Sequence, residues 1–400
     1  MQYRDNPKNG QRLSALGFGC MRFPSSSLGS IDIDAAERLV TSAVDAGINY
    51  FDTAFLYRNN EAALGEIFKR NPGLREKINI ATKLPQPLCK KESDFDSYFT
   101  RELESLGVEA VDYYLIHNMG SLADWTRLVD LGITSWIDDR KRDGSIVNIG
   151  FSFHGPEGEF IRLVDAYDWD FVQIQYNYLD EHNQAGKSGL EYAASAGLPV
   201  IIMEPLLGGV LADKLPAAVG DLFAEKPCSA TRTIETPVAW ALRWVWNHPE
   251  VTVVLSGMNE PSQLSENVAI VETALPNALD ADDRAVIERA RDTFRESYKV
   301  PCTGCNYCMP CPQKVTIPGT FAAYNASYAL GWYQGEKTYV MNINPYGDQV
   351  KWAGNCTACG ACVKKCPQHI DIPTELQRAR KRIEPFYIRW GVNIMRKFTR

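Results

Sequence analysis

The stretch NYFDTAFLYRNNEAALGEIFK, residues 49–69, decides the fold. Asn49 to Phe51 is a short apolar run, and Asp52 closes it. A loop carrying Tyr57 follows, and then Glu61 to Lys69 repeats apolar residues at helical spacing. The same unit recurs downstream. Ile78 to Thr82 is a second short run, closed by Lys83; Asp96 to Ser105 is helical in period; Asp112 to Ile116 is a third run, closed by His117. Runs of this kind, apolar at successive positions rather than alternate ones, mark parallel strands covered on both faces. Working outward, Asn148 to Ser152, Phe171 to Tyr176, Pro199 to Met203 and Val251 to Leu255 read as further strands, with an earlier one at Leu13 to Gly19. Amphipathic segments such as Asp34 to Ala46 and Pro237 to Asn247 lie between strands. Strand and helix alternating eight times in about 260 residues predicts an α/β fold, a (β/α)₈ TIM barrel. An open doubly wound sheet would show a glycine-rich turn after its first strand. Here Leu16-Gly17-Phe18-Gly19 runs on as Cys20-Met21-Arg22, with no third glycine.

Composition narrows the function. The chain has 400 residues, 45% hydrophobic and 23% charged, which is an ordinary profile for two or three domains. A formal net charge of -7 argues against nucleic acid or anionic lipid as a partner of the whole surface. No window reaches the roughly 18 apolar residues of a transmembrane segment. The polar start, Met1 to Gly10, has no secretory pattern, so the cytoplasm is the expected location.

Of the 11 cysteines, Cys20, Cys89 and Cys228 are scattered and eight fall in two late runs. A disulfide framework spreads its cysteines through a small secreted domain; clustering points to metal. The second run is Cys356-x₂-Cys359-x₂-Cys362-x₃-Cys366-Pro367, the spacing of bacterial-type [4Fe–4S] ferredoxins, in which the fourth cysteine crosses to the other cluster. The first is Cys302-x₂-Cys305-x₂-Cys308-x₂-Cys311-Pro312, one residue short before its last cysteine. By the crossing rule one cluster takes Cys302, Cys305, Cys308 and Cys366, and the other Cys356, Cys359, Cys362 and Cys311. Structural zinc is the competing reading, disfavoured by two four-thiol runs each closed by Cys-Pro. Over residues 300–375 the chain resembles two-cluster ferredoxins. Helix-like sequence between the runs, including an aromatic-rich stretch from Gly319 to Tyr339, is closer to the α-helical ferredoxin modules of reductases. The expected domains are therefore a barrel over 1–279, a charged connecting helix within 280–300, a mainly α-helical two-cluster ferredoxin-like domain over 301–375 and a basic tail over 376–400.

In a β/α barrel, chemistry gathers where strands end at the C-terminal face. Asp52, Lys83 and His117 each close a strand, and Tyr57 sits on the loop after Asp52. Each has a plain structural reading alone: a cap, a solvated lysine, a strand-end histidine, a surface tyrosine. Together they form a proton-transfer set. A lysine ammonium beside Tyr57 favours the phenolate, an aspartate keeps that lysine charged, and a histidine orients a carbonyl oxygen.

The stretches FDTAFLYRNNEAALGE, NIATKLP and YYLIHN resemble the aldo-keto reductases, and the likeness runs over about residues 10–275. IGFSFHG, FVQIQYN and VVLSGMNEPSQLSENV extend it to a cofactor site. The whole chain looks like the ferredoxin-fused branch of that family. The resemblance implies NAD(P)H-dependent carbonyl reduction, with a catalytic tetrad on Asp52, Tyr57, Lys83 and His117. It places cofactor contacts on Ser152, Gln173, Met203, Gly257, Gln263, Glu266 and Asn267. Ser152-Phe153 departs from the family's Ser-Asn, and Met203 stands where many members stack an aromatic ring. NADH is favoured over NADPH, because Val251 to Val268 has no Lys or Arg and Gln263 replaces a frequent arginine.

The function expected is reduction of a small carbonyl, or oxidation of an alcohol, coupled to one-electron transfer through the clusters. No motif announces a flavin to convert between two-electron and one-electron steps. The alternatives are an electron-transfer or redox-sensing protein with an idle barrel, and a conventional reductase with structural clusters. The ferredoxin module is a candidate wall of the substrate site. From Pro373 onward eight basic residues face only Glu375 and Glu384, which suits an acidic ferredoxin or flavodoxin. The aromatic and aliphatic residues interleaved there, Phe386 to Phe398, suit packing on the barrel or peripheral membrane contact instead.

Overall fold

The structure is a computed structural model, and it describes residues 1–25, 30–57, 59–213, 215–231, 233, 235–296, 298–302, 304, 307–347, 349–366 and 368–399. Among the described residues ten strands are formed: β1 Tyr3–Asp5, β2 Arg12–Ser14, β3 Leu16–Gly19, β4 Tyr50–Asp52, β5 Asn79–Leu84, β6 Val111–Met119, β7 Ile146–Phe153, β8 Phe171–Gln175, β9 Val200–Met203 and β10 Val251–Ser256. Strands β3 to β10 close into an eight-stranded parallel barrel, with β10 returning to pair with β3. This is the (β/α)₈ fold read from the sequence.

The strands are apolar on both faces because each face meets its own core. Inward-pointing Tyr50, Tyr113, Phe171, Ile201 and Val253 fill the barrel, and the rings of Tyr50, Tyr113 and Phe171 meet edge to face at centroid distances of 5.0 Å. Outward-pointing residues such as Phe51, Tyr114, Phe151 and Val254 pack under the surrounding helices. The run Leu13 to Gly19, expected as one strand, is two. Arg12–Ser14 turns back to pair antiparallel with Tyr3–Asp5, and only Leu16–Gly19 joins the barrel. The resulting hairpin covers the N-terminal end, where Asn6 and Gln11 bond the Tyr113 hydroxyl.

The charged helix Ala281–Glu296 forms as expected. Its apolar face, Val286, Ile287, Ala290 and Phe294, belongs to the barrel's outer core. The C-terminal body has its own core, with Val300, Ile317, Phe321, Tyr339, Trp352, Leu376, Ile383 and Val392 buried in it. The aromatic-rich stretch is two helices, Ile317–Ala329 and Trp332–Asn342, separated at Gly331, whose φ of +91° suits glycine. They lie close because Gly335 faces Ser327, where a Cβ would stand 2.4 Å from the Ser327 Cβ.

The basic tail is also helical, as Ile372–Ile383 and Phe386–Thr399. Ile388, Val392 and Met395 pack on the module's own core, the helix Phe386–Thr399 also lies against the barrel turn Gln86–Leu88, and Phe386 and Trp390 are exposed. Glu384, between these helices, is buried and accepts hydrogen bonds from the Tyr339 hydroxyl and the Gly354 amide. Among the described residues no helix is long and apolar enough to cross a membrane.

Candidate active site and cluster loops

Parallel pairing sets the site. Gly19 is in register with Asp52, Asp52 with Ala81, and Lys83 with Leu115, so the residues ending successive strands reach the same mouth. Lys83 is buried and donates to Asp52 Oδ1 at 2.6 Å and to the Thr53 carbonyl at 2.7 Å. Its Nζ lies 5.1 Å from the centre of the Tyr57 ring. The His117 ring meets Tyr57 edge-on at 6.0 Å. Gln173 donates to the other Asp52 oxygen at 2.8 Å, so both oxygens of the buried carboxylate are bonded. All four residues suggested by the sequence are therefore together.

Their electrostatics follow from burial. Burial by itself would lower the Lys83 ammonium, but the charge of Asp52, with hydrogen bonds to Asp52 and Tyr57, outweighs it and holds its pKa above the ordinary lysine value. Burial raises the Tyr57 pKa above 10; Lys83 opposes this without reversing it. Lys83 thus favours the phenolate, as the sequence suggested, and desolvation of the anion outweighs that attraction, which leaves Tyr57 a phenol able to donate its proton. Burial, then the charges of Lys83 and His154, push His117 well below the usual imidazole range, so it is neutral. Its buried Nδ1 has no hydrogen-bond partner among the described residues.

Ser152 and Met203 lie near the C-terminal ends of β7 and β9 and Gln173 at the centre of β8, with Ser152 in register with Gln173, and Gln175 with Met203. The Asn118 amide donates to Ser152 Oγ at 3.0 Å, so Ser152 and Gln173 are both held in place. Met203 packs against the barrel's inner core. An amide, a hydroxyl and a soft thioether on three successive strands, the amide bonded to Asp52, fit the carboxamide and ring of a nicotinamide. Gly257 follows β10. On the helix Pro261–Glu272, the Gln263 side chain accepts from the Asn259 amide, Glu266 accepts from Thr236, and Asn267 donates to Ser256.

Cys311, Cys356, Cys359 and Cys362 line one small cleft, walled by Ile317 and Leu376. These are the four cysteines that the crossing rule groups together. Thiols ringed around a cleft suit a cubane with one thiolate per iron. Cys302, Cys308 and Cys366 pack beside the module core, and Cys305 lies outside the described residues. The scattered Cys20, Cys89 and Cys228 are buried, and burial raises all three thiols, so they are unreactive.

Several features at the mouth had no local sequence signal. A cavity of about 730 Å³ separates barrel from module, with Asp180 and Gln184 on one side and Cys302, Met309 and Gln334 on the other. A polar chain lies along its barrel side: His154 bonds Gln184 at 3.2 Å, Gln184 bonds Gln175 at 2.9 Å, and Gln175 bonds Asp180 at 2.7 Å. Glu204, after β9, pairs across the junction with Lys337 of the module at 2.8 Å. The exposed Arg22 reaches Gly208. Only the bare presence of these polar residues near strand ends could have drawn attention to them.

A closed parallel barrel holding a buried lysine–aspartate pair against a tyrosine and a neutral histidine defines an oxidoreductase of the carbonyl-reducing class. Residues 15–282 match the Aldo/keto reductase family, and residues 301–370 match a 4Fe-4S dicluster domain. The chain belongs to the aldo/keto reductase family and carries an iron–sulfur domain at its C-terminal end. It is 25% identical over 338 residues to the uncharacterized oxidoreductase YrpG of Bacillus subtilis (strain 168), which spans 74% of this chain and 96% of that one. A 6-dehydroglucose reductase of Novosphingobium aromaticivorans is 26% identical over 66% of this chain and 88% of its own. Among solved structures, aldo-keto reductase AKR11C1 from Bacillus halodurans, holo form, superposes with a TM-score of 0.58 at 25% identity, covering 72% of this chain and 96% of that one.

Proposed function

We propose that this chain reduces a small carbonyl compound, or oxidises the corresponding alcohol, at the mouth of the barrel with a nicotinamide dinucleotide, and that its clusters exchange single electrons with a soluble carrier. The observation that carries the reading is Lys83, buried between Asp52 and Tyr57. Tyr57 is the proton donor to the oxygen on which negative charge develops. Lys83 stabilises the phenolate left behind, and Asp52, held also by Gln173, keeps Lys83 charged and in place. Neutral His117 orients the carbonyl oxygen through a hydrogen bond. Ser152, Gln173 and Met203 hold the nicotinamide, which supplies hydride when bound. Tyr57→Phe should lower turnover by about 10²–10⁴-fold while NADH binding stays near that of the parent chain; near-normal turnover would end the tetrad reading.

NADH is the favoured nucleotide. Gln263 is neutral and occupied with the Asn259 amide, which leaves no charge-assisted contact there for a 2′-phosphate. An Escherichia coli relative, 24% identical over 66% of this chain and 92% of its own, is described as an NADH-specific methylglyoxal reductase. Tighter binding of NADPH in a direct titration would refute this preference.

The two cysteine sets face different ways. Cys359 is exposed and precedes exposed Lys364 and Lys365, whereas Cys302 and Met309 line the cavity towards the barrel. The cluster held by Cys311, Cys356, Cys359 and Cys362 is the one that meets an acidic ferredoxin or flavodoxin. The cluster held by Cys302, Cys305, Cys308 and Cys366 is nearer the substrate.

A further inference from the structure

The loops after the last two strands of a β/α barrel commonly hold a phosphate group. Here they are Leu206 to Gly209 after β9 and Gly257 after β10. Arg22, on the turn Cys20–Arg22 that follows the first barrel strand, spans the two. Its stem lies along Gly257, where a Cβ would stand 3.0 Å from Arg22 Cδ. Its guanidinium ends at Gly208, where a Cβ would stand 3.2 Å from Arg22 Nη2. Gly208 has a φ of +68°, so glycine is required both by the backbone and by the approach of the arginine. Arg22 donates only to the Gly208 carbonyl, at 3.3 Å, and has no carboxylate partner among the described residues.

A second cation arrives from the other domain. Lys337, on the module helix Trp332–Asn342, lies 3.9 Å from the same Cβ position. It pairs with Glu204 at 2.8 Å, so two cations and one carboxylate surround Gly208 with a net positive charge.

We propose that Arg22 of the barrel and Lys337 of the cluster-bearing module form a two-cation clamp at Gly208 that binds the pyrophosphate of the dinucleotide. The iron–sulfur module thereby takes part in cofactor binding as well as in electron transfer. Glu204 holds Lys337 in position and at the same time moderates its charge. The inference rests on the dinucleotide reading given above.

The test uses the full chain, purified without oxygen and with its iron content checked, in fluorescence titrations with NADH and in competition with inorganic pyrophosphate. Lys337→Gln and Arg22→Gln should each weaken NADH by about tenfold, the loss of one charge-assisted contact. Each should weaken pyrophosphate similarly. Glu204→Gln should act in the opposite direction and tighten NADH severalfold, because it removes the carboxylate that competes for Lys337. If Glu204→Gln weakens NADH as much as Lys337→Gln does, the pair only fastens the domains and the clamp is wrong. NADH affinity within twofold of the parent chain in Lys337→Gln, or pyrophosphate that fails to compete with NADH, would also overturn it. A parent chain that binds pyrophosphate but not NADH would refute the dinucleotide reading instead, leaving the two cations to be judged on pyrophosphate alone.

Discussion

Replacing Lys83 by methionine keeps the length of the side chain and removes its charge. Asp52 would then be a buried carboxylate bonded only by the Gln173 amide, and the Thr53 carbonyl would lose its donor. The Lys83 and Asp52 side chains are 1% and 5% exposed, so water cannot replace the missing ammonium. Removing one partner of a buried pair costs about 3–5 kcal/mol, most of it the penalty of the stranded charge. Lys83→Met should therefore destabilise the barrel by about that much in urea unfolding, followed by the fluorescence of Trp125, Trp169, Trp240 and Trp246. Adding Asp52→Asn removes the stranded charge and should recover at least half of the loss, which is the signature of direct coupling. The pH dependence has a definite sign. The native Lys83 pKa lies above its unfolded value of about 10.5, so the pair's contribution is complete below pH 10.5 and is lost as pH rises through the native pKa. The stability gap between the parent chain and the double variant should be flat from pH 7 to 9 and shrink above 10.5. A loss under about 1 kcal/mol in Lys83→Met, or no recovery in the double variant, would show that the pair is not the buried contact described.

The remaining expectations concern the module and a second buried carboxyl. Anaerobically purified protein should hold about eight irons and eight acid-labile sulfides; Cys311→Ala should lose about half while the barrel stays folded, and stoichiometric zinc would contradict the cluster assignment. Glu61 is buried behind the tetrad, where it accepts from Thr82; burial raises its pKa to about 7. Its native state thus holds a proton that the unfolded chain releases above 4.5, and stability falls as pH rises from 4.5 to 7. Glu61→Gln should flatten part of that decline, the rest belonging to buried Glu102 and Asp180, and gain up to about 3 kcal/mol at pH 8, and an unchanged pH profile would exclude the buried acid. Changing Lys364 and Lys365 to Glu should slow electron uptake from reduced ferredoxin and flatten its salt dependence; rates equal to the parent chain's would place the docking surface elsewhere. Charge reversal is the better probe there than removing the tail, because its last helix supplies Val392 to the module core and Arg389 to Glu384.

Much of the site was legible because its signals are local. A residue that closes an apolar run ends a strand, and parallel closure carries every such end to one mouth; Asp52, Lys83 and His117 could therefore be placed together before any contact was known. Cysteine spacing is equally local, since three thiols on one short loop are already near each other. What the chain alone left open depends on neighbours distant in sequence. The hairpin Tyr3–Asp5 with Arg12–Ser14 is too short to show a period, and it forms because the barrel's open end needs a cover. How far Lys83 can shift Tyr57 turned on burial, which is set by everything packed around the ring and has no signal in the spacing that put the lysine beside it. The meeting of Arg22, Gly208 and Lys337 joins residues 186 and 129 positions apart, from two domains. No pattern along the chain encodes such a meeting, because it exists only once the module is seated on the barrel.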